Sequence, residues 1–308
     1  MTLPVAKSLR EFLKKLIDYA GLFPPASLDL ASALDEYKAY LPSADNWMLG
    51  RFIISAADLS KLPNLSDAWH FSVLGRSGKN ADEFAQNLEN DLNDIRSFRQ
   101  HQPAFADVFE VRLPSEATPN LLKYANEKIT TQNKLTTYYE IPITPAWREN
   151  MTATIIALSE SNQTANLRNG FKLRCGGVVA DAFPSVEQIA HALLLCRNHH
   201  VPFKATAGLH HPIRHYNESV QTKMHGFVNV FGAAILAQAH NLNTEQTVAI
   251  LNEEDPQHFR FTESHFTWGN FSVTADQIAD SRRSQFISYG SCSFDEPRED
   301  MQKLTWLS

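Results

Sequence analysis

The feature that most constrains the fold of this chain is a regular alternation between short apolar stretches typical of strands and longer segments with a helical period. In one helical segment Val186, Ile189 and Leu193 fall on a single stripe, which is the spacing of a helix that covers a sheet. Alternation of this kind indicates a parallel sheet whose strands are joined by right-handed helical crossovers. The strand-type stretches in the middle of the chain are residues 52–55, 70–74, 108–113, 137–141, 171–175 and 202–207.

Two further strands, one near each end of the chain, bring the number to eight, which closes a barrel of about 250 residues. Residues 17–19 fit the first of these strands, and a segment within residues 258–273 fits the last. The first has a second interpretation, because Gly21 fits the C′ position that ends a helix, whereas in a strand Asp18 would point inward. The sequence leaves both open.

We therefore predict an α/β fold, a (β/α)8 barrel of the TIM type that forms a single domain over residues 1–308. Residues 285–308 are expected to be a C-terminal tail packing on the barrel. No linker rich in Pro, Gly or Ser divides the chain. A doubly wound open sheet is the alternative, although no G-x-G-x-x-G motif follows any strand. In the tail, exposed Trp306 and Leu307 would favour a homo-oligomer.

Composition and charge exclude several classes of partner. The net charge is −6, and no dense run of Lys and Arg is present, so we expect no nucleic-acid partner. No apolar run approaches the roughly 20 residues of a membrane span, so we expect no membrane partner. The three cysteines form neither a disulfide framework nor a CxxC pair, and the N-terminus lacks a signal peptide's apolar core. A reduced, cytoplasmic protein that binds a small metabolite fits these features.

A repeated phrase places a lysine on each of two neighbouring strands. Phe-Lys, followed by Gly four residues after the lysine, occurs once around Lys172 and again around Lys204. Because side chains alternate between the two faces of a strand, Lys172 shares a face with Arg174, and Lys204 shares a face with Thr206. A lysine is costly to bury unless it is paired or used, so this pair is the first candidate for chemistry.

The two strands before them carry acids in the same alternation. Glu110 shares a face with Arg112, and Glu140 shares a face with Tyr138. Four successive strands thus direct charge toward the barrel axis near their C-terminal ends, where the catalytic residues of this architecture lie. Two carboxylates against four cations leave a surplus of positive charge, which favours a small anionic substrate with a phosphate or carboxylate group.

This inward charge has two interpretations. The side chains could simply pair with one another in ladders that fill the core. Alternatively, burial and a neighbouring cation lower the pKa of a lysine, which would make Lys172 a nucleophilic amine at neutral pH with Lys204 as the neighbour. Glu110 and Glu140 would then move protons to and from the substrate.

One lysine on the sixth strand, a second on the seventh and an acid on the fourth resemble the layout of class I aldolases of the deoxyribose-phosphate aldolase type. The resemblance implies that Lys172 forms the Schiff base, that Lys204 lowers its pKa, and that Glu110 stands where the family carries an aspartate. Leu-Arg-Cys-Gly-Gly after Lys172 departs from the family's run of small hydroxylated residues. The chain as a whole, and residues 18–26 and 290–294 in particular, resembles a bacterial barrel family that has no assigned activity. The resemblance to aldolases is therefore limited to the placement of the lysines and the acid on the strands.

The loops after the sixth and seventh strands add further candidates. Their glycines suit a turn or a close approach of the backbone to a phosphate, and an arginine fork suits an anion. Either His210 or His211 fits an acid/base or a neutral hydrogen-bond donor. The candidate substrate-binding residues are Arg112, Arg174, Thr206, His210, His211, Arg214, Gly176 and Gly208.

We predict no cofactor and no metal ligands. Adjacent histidines in an extended loop point apart, and the chain lacks HxH or HExxH spacing, although a divalent metal is left as an alternative. Cys175 falls on the apolar face of its strand and fits the core. Cys292 lies among small polar residues, with no histidine near it in the sequence to support a Cys-His pair.

Three classes of function follow. The first is a Schiff-base-forming lyase or aldolase that acts on a small anionic carbonyl compound through Lys172, Lys204, Glu110 and Glu140. The second is a cofactor-free or metal-assisted isomerase, decarboxylase or hydrolase in which His210 or His211 does the chemistry. The third is a barrel that binds an anion without turnover.

Overall fold

The computed structural model describes residues 5–66, 69–115, 118–133 and 135–307, with side chains throughout except at residues 131–133. The last residue of the predicted tail, Ser308, lies outside the described residues. By their internal contacts the described residues group into two compact units. The first comprises 1–50, 174–197 and 205–308, and the second comprises 51–173 and 198–204.

Thirteen strands are present in the described residues. They are β1 (Ile17–Tyr19), β2 (Leu49–Ser55), β3 (His70–Leu74), β4 (Phe105–Arg112), β5 (Thr136–Glu140), β6 (Gly170–Arg174), β7 (Phe203–Thr206), β8 (His215–Asn217), β9 (Thr222–Met224), β10 (Phe259–Phe261), β11 (His265–Trp268), β12 (Phe271–Thr274) and β13 (Phe286–Ser291). Eight of them form a closed barrel in the order β1-β13-β7-β6-β5-β4-β3-β2. The strands pair in parallel between β1 and β13 and in each neighbouring pair from β2 to β6. The (β/α)8 barrel predicted from the sequence is therefore confirmed.

Ten α-helices in the described residues alternate with these strands or follow them. They are α1 (Lys7–Leu13), α2 (Leu30–Tyr40), α3 (Ala81–His101), α4 (Pro119–Asn133), α5 (Trp147–Ala165), α6 (Val186–His199), α7 (Phe227–His240), α8 (Thr244–Asn252), α9 (Ala275–Ser284) and α10 (Asp295–Lys303). Short 3₁₀-helices lie at Asn46–Met48, Ala56–Lys61, Ala180–Ala182 and Pro256–His258. Within the described part of the chain, no helix has the length and apolar character needed to cross a membrane.

The two chain ends account for the differences from the sequence-based prediction. Residues 17–19 form the first barrel strand, and α1 ends at Leu13, so the alternative of a helix ended by Gly21 is wrong. The last barrel strand is β13, because residues 258–273 contribute to a separate antiparallel sheet of β10, β11 and β12. Residues 286–291 were assigned to the tail, and that assignment is wrong. That residues 1–308 form one domain stays a prediction.

The remainder of the predicted tail packs against its own chain. Tyr40 Oη donates to Asp295 Oδ2 at 2.8 Å, and the Arg298 guanidinium pairs with Asp45 at 2.9 Å, which together fasten α10. Leu307 is buried, and the ring of Trp306 packs edge-on against Phe261. Leu307 therefore lacks the exposure from which a homo-oligomer was expected, and Trp306 is only partly exposed. A homo-oligomer stays a prediction.

Aromatic side chains on the outer face of the strands pack against the helices within each unit. In the second unit Phe71 of β3 packs edge-on against Phe98 of α3, and Trp69 stacks on Phe71. In the first unit Tyr289 of β13 stacks on Phe227 of α7. Because alternate residues face opposite ways, these contacts leave the intervening residues of each strand to face the barrel interior.

Gly176 and Gly208, which follow β6 and β7, are glycines because two backbones touch there. Both are buried, and a Cβ on Gly208 would lie 2.7 Å from the Cα of Gly176 and 2.9 Å from the carbonyl oxygen of Cys175. Gly208 also has a φ of +70°, a left-handed conformation that other L-residues adopt at a cost. This contact sets the spacing of the two loops. A phosphate at these amides stays a prediction.

We expect Gly208→Ala to destabilise the protein more than Gly269→Ala does. Both glycines have positive φ, +70° and +54°, so each alanine carries a backbone cost of about 1–2 kcal/mol. Only at Gly208 does the added methyl group also meet other backbone, which adds about 1–3 kcal/mol of overpacking, whereas nothing lies within 4 Å at Gly269. Urea unfolding of the two variants measures the difference, and equal losses would contradict the close contact.

Candidate active site in the barrel interior

Strand register brings the predicted acids and lysines into two adjacent rows inside the barrel. Arg112 of β4 lies opposite Glu140 of β5, and Glu140 lies opposite Lys172 of β6. Two residues earlier on the same strands, Glu110 lies opposite Tyr138. The alternation of side chains puts all of them on the interior face, which confirms the expected parity.

Lys172 lies between two carboxylates. Its Nζ is 2.8 Å from Glu110 Oε2 and 3.1 Å from Glu140 Oε2. The side chain of Lys172 is 3% exposed and that of Glu140 is 4% exposed. Ion pairs this well shielded from water are screened little by salt, so their geometry governs the charge state of all three groups.

Glu110 has a second lysine on its other oxygen. Lys204 Nζ lies 2.7 Å from Glu110 Oε1, and the hydroxyl of Ser72 on β3 donates to the same oxygen at 2.5 Å. Glu110 is fully buried. Burial would raise the pKa of this carboxyl, but the charges of Lys172 and Lys204 outweigh burial and hold its pKa well below the usual range. Glu110 is therefore a carboxylate across the physiological range.

An aromatic ring fills the space beside the second lysine. Tyr138 is buried, and Lys204 Nζ lies over its ring at 5.9 Å from the centroid. The ring fits because its neighbour across the strands is Gly170, where a Cβ would approach the ring to 2.5 Å. Lys204 thus contacts the Glu110 carboxylate, whose Oε1 also accepts from Ser72, and the aromatic face of Tyr138.

The charge state of Lys172 differs from the sequence-based prediction. Burial lowers the pKa of Lys172, but the carboxylates of Glu110 and Glu140 outweigh burial and raise it above its ordinary value of 10.5. The expectation that Lys204 depresses the pKa of Lys172 is wrong for this state of the protein, because Glu110 lies between the two ammonium groups and pairs with both.

The arginines do not join the buried cluster. The side chain of Arg112 is 49% exposed, and its Nε approaches Glu140 Oε1 at 3.9 Å. Arg174, the last residue of β6, is also exposed. Among the buried side chains Lys172 and Lys204 balance Glu110 and Glu140, so any surplus of positive charge is limited to the exposed Arg112 and Arg174. The role of these two arginines as anion ligands stays a prediction.

The first unit contains a second polar cluster, built from the loop after β7 and from α10. Nδ1 of His210 lies 3.1 Å from Glu296 Oε2. Nδ1 of His211 contacts Asp300 Oδ2, and its Nε2 lies 3.7 Å from Glu296 Oε1. Each histidine is thus oriented by a carboxylate, an arrangement that fixes the tautomer of an acid/base histidine.

In the same unit, Asp18 and Arg214 each contact a second polar side chain. Asp18 of β1 is buried and accepts from the hydroxyl of Ser288 at 2.8 Å. It therefore points inward, as expected if residues 17–19 form a strand. Arg214 Nη1 lies 3.0 Å from Nδ1 of His225, whose Nε2 donates to the carbonyl of Pro184 at 2.7 Å. Burial and Arg214 lower the pKa of His225 to about 4, so His225 is neutral and holds Arg214 in place.

The structure also places groups that the sequence analysis missed. Ser72 has the same inward parity on β3 as Glu110 has on β4, and counting parity on every strand would have found it. Glu296 and Asp300 lie in the segment assigned to packing, and no local pattern links them to residues 210 and 211. Thr206 is partly exposed at the end of β7. The substrate-binding role of Thr206, like those of the two loop histidines, stays a prediction.

Comparison with models of known protein families gives no match, and comparison with curated proteins gives none either. The resemblance to class I aldolases therefore depends on the residues and on the barrel alone. Among the described residues, no group of three or more His, Cys, Asp and Glu side chains is arranged to hold a metal ion.

We expect Glu110→Gln to destabilise the protein strongly. The substitution removes the carboxylate that pairs with both Lys172 and Lys204, and breaking a buried pair costs about 3–5 kcal/mol. Glu89→Gln is the matched control, because it removes the carboxylate of the half-exposed Lys128–Glu89 pair at 2.7 Å and should change stability little. Urea unfolding reports both, and equal effects would contradict the buried pairing.

The stability that Glu110 provides should depend on pH in a defined direction. Its folded-state pKa is lowered, so the contribution is complete above the ordinary value of 4.5 and is lost as the pH falls below it. The raised pKa of Lys172 keeps its contribution complete below 10.5, with loss as the pH rises beyond. The gap in unfolding free energy between wild type and Glu110→Gln should therefore shrink below pH 4.5, and a constant gap there would count against this assignment.

Proposed function

We propose that this protein is a Schiff-base-forming lyase of the class I aldolase kind, which acts on a small anionic carbonyl compound through Lys172. The observation that carries the proposal is the position of Lys172 Nζ, 2.8 Å from Glu110 and 3.1 Å from Glu140, inside a closed parallel barrel. A lysine amine with carboxylates at hydrogen-bond distance has the nucleophile and the proton carriers that imine chemistry requires.

The charge balance of the cluster allows the amine to be released. With two lysines and two glutamates ionised, transfer of one proton from Lys172 to Glu140 leaves a neutral amine, a neutral acid and the Glu110–Lys204 pair. The total charge is unchanged, so no ion has to enter from solvent. The strongly lowered pKa of Glu110 makes it the poorer proton acceptor, which assigns the exchangeable proton to Glu140.

The reaction then follows from these roles. The Lys172 amine attacks the substrate carbonyl to form a carbinolamine, and Glu140 returns its proton to the departing hydroxyl as water leaves. The resulting iminium withdraws electrons, so a carbon–carbon bond beta to it breaks and an enamine forms. As this bond breaks, Glu140 takes the proton of the substrate's β-hydroxyl, which leaves as an aldehyde, and then delivers that proton to the enamine carbon. Hydrolysis of the resulting iminium releases the product and regenerates the amine. Glu110 and Lys204 keep the cluster neutral in total charge throughout.

Arg112 is the substrate-anion ligand in this proposal. It belongs to the same row as Glu140 and Lys172, with its guanidinium half exposed near Glu140. A guanidinium in that position can pair with a carboxylate or phosphate of the substrate while its backbone stays fixed in β4.

The test is to incubate the protein with a panel of small aldehydes, ketones and 2-oxo acids, to reduce with borohydride, and to map the mass increment by peptide mass spectrometry. We expect an adduct on Lys172 that is absent in Lys172→Ala and that forms more slowly in Glu140→Gln. Lys61→Ala is the control, because Lys61 is an exposed lysine that pairs with Asp58. An increment that persists in Lys172→Ala, or that no compound produces, would reject the proposal.

A second candidate function, without a covalent adduct, is favoured by the carboxylate-oriented histidines. Here His210 is the acid/base of an isomerase, decarboxylase or hydrolase, and the lysines hold the substrate anion. Burial lowers the pKa of His210, but hydrogen bonds with Cys292 and Glu296 outweigh burial and raise it to about 9. Turnover that needs His210 as an acid should fall as the pH rises through that value. Saturable anion binding with the ligand recovered unchanged would instead favour a barrel without catalytic activity.

A further inference from the structure

A thiol and an imidazole that are far apart in the sequence meet at the ends of two neighbouring barrel strands. Cys292 directly follows β13, and His210 lies in the loop after β7, which is the neighbour of β13 in the barrel. Cys292 Sγ lies 3.7 Å from His210 Nδ1, within hydrogen-bond range for sulfur. No histidine lies near Cys292 in the sequence, and the fold supplies His210 from 82 residues away.

Charged and polar groups surround this pair. His210 Nδ1 is also 3.1 Å from Glu296 Oε2. Burial lowers the pKa of His210, but the hydrogen bonds with Cys292 and Glu296 raise it to about 9. Cys292 also precedes the N-terminus of α10, where the helix dipole favours negative charge, although Asp295 and Glu296 in its first turn oppose this. The other titratable groups facing the pair are Tyr19 of β1 and His211 of the same loop.

We infer that Cys292 is a nucleophilic thiol, activated by His210, which exchanges with small disulfides and so forms a covalent site separate from Lys172. In the exchange the Cys292 thiolate attacks one sulfur of the small disulfide, a new sulfur–sulfur bond forms, and the original one breaks. The departing thiolate takes its proton from the His210 imidazolium. One disulfide replaces another, so no external oxidant or reductant is needed.

The other two cysteines are internal controls. Cys175 and Cys196 are both fully buried, and burial raises the pKa of the Cys196 thiol. Inert structural thiols are expected to react only when the protein unfolds. Cys292 retains 9% of its surface, and the side chain of His210 beside it is 12% exposed.

The test is the rate at which the native protein reacts with dipyridyl disulfide at neutral pH, with each modified cysteine identified by peptide mass spectrometry. We expect Cys292 to react first, and Cys175 and Cys196 to react only after denaturation. Cys292→Ser should abolish the fast reaction. His210→Asn keeps a donor near the Nδ1 position but removes the charge, and should slow the reaction at least about tenfold.

His258→Asn is the matched control, because His258 also pairs with a glutamate, at 2.8 Å from Glu253 Oε2, in an exposed position. It should react as the wild type does. Reaction at Cys292 no faster than at Cys175 and Cys196, or a rate unchanged by His210→Asn, would overturn the inference. If His210→Asn fails to fold by circular dichroism, the comparison among the three wild-type cysteines decides it.

Discussion

The buried ion pairs of Glu110 with Lys172 and Lys204 are the constraint to which the rest of the barrel interior is adjusted. Each of these three side chains is almost fully withdrawn from water, and an unpaired charge in such a place would cost several kcal/mol. The pairs therefore require the register of β4, β5 and β6 to be held within a fraction of a residue. A slip by one residue would turn the charges outward into the helix layer and the aromatic side chains inward.

Residues next to these ion pairs also pack against them or donate hydrogen bonds to them. Gly170 leaves room for the ring of Tyr138, and that ring supports Lys204. Ser72 supplies the remaining donor to Glu110 Oε1. A purely structural ion-pair ladder would also need close pairing of this kind. What favours chemistry is the asymmetry between the two acids, because Glu110 holds two lysines, whereas Glu140 holds Lys172 and faces the half-exposed Arg112.

That asymmetry also reconciles a raised lysine pKa with a Schiff-base mechanism. In the substrate-free protein the carboxylates stabilise the ammonium form of Lys172. A substrate carbonyl that displaces Glu140 from Lys172 would remove part of this stabilisation when the neutral amine is needed. The free energy of substrate binding would then offset the cost of deprotonating Lys172. In the proposed mechanism Lys172 would therefore stay an ammonium ion until a substrate binds, and no direct contact between the two lysines would be needed.

Much of the fold and part of the site follow from the sequence alone. The barrel, its first strand and the inward parity of Glu110, Glu140, Lys172 and Lys204 come from period and alternation, which are local properties of the backbone. The last strand was misplaced because residues 258–273 also contain strand-forming segments, and only their antiparallel pairing shows that they lie outside the barrel.

The sequence by itself determined which side chains face inward, because the alternation of a strand is fixed by its own backbone geometry. The tertiary structure decided which of those side chains touch. It placed Glu110 between the two lysines, left Arg112 and Arg174 at the surface, and brought His210 to Cys292. These contacts depend on the offset between neighbouring strands and on how the barrel closes, and both are set by packing between segments far apart in the chain.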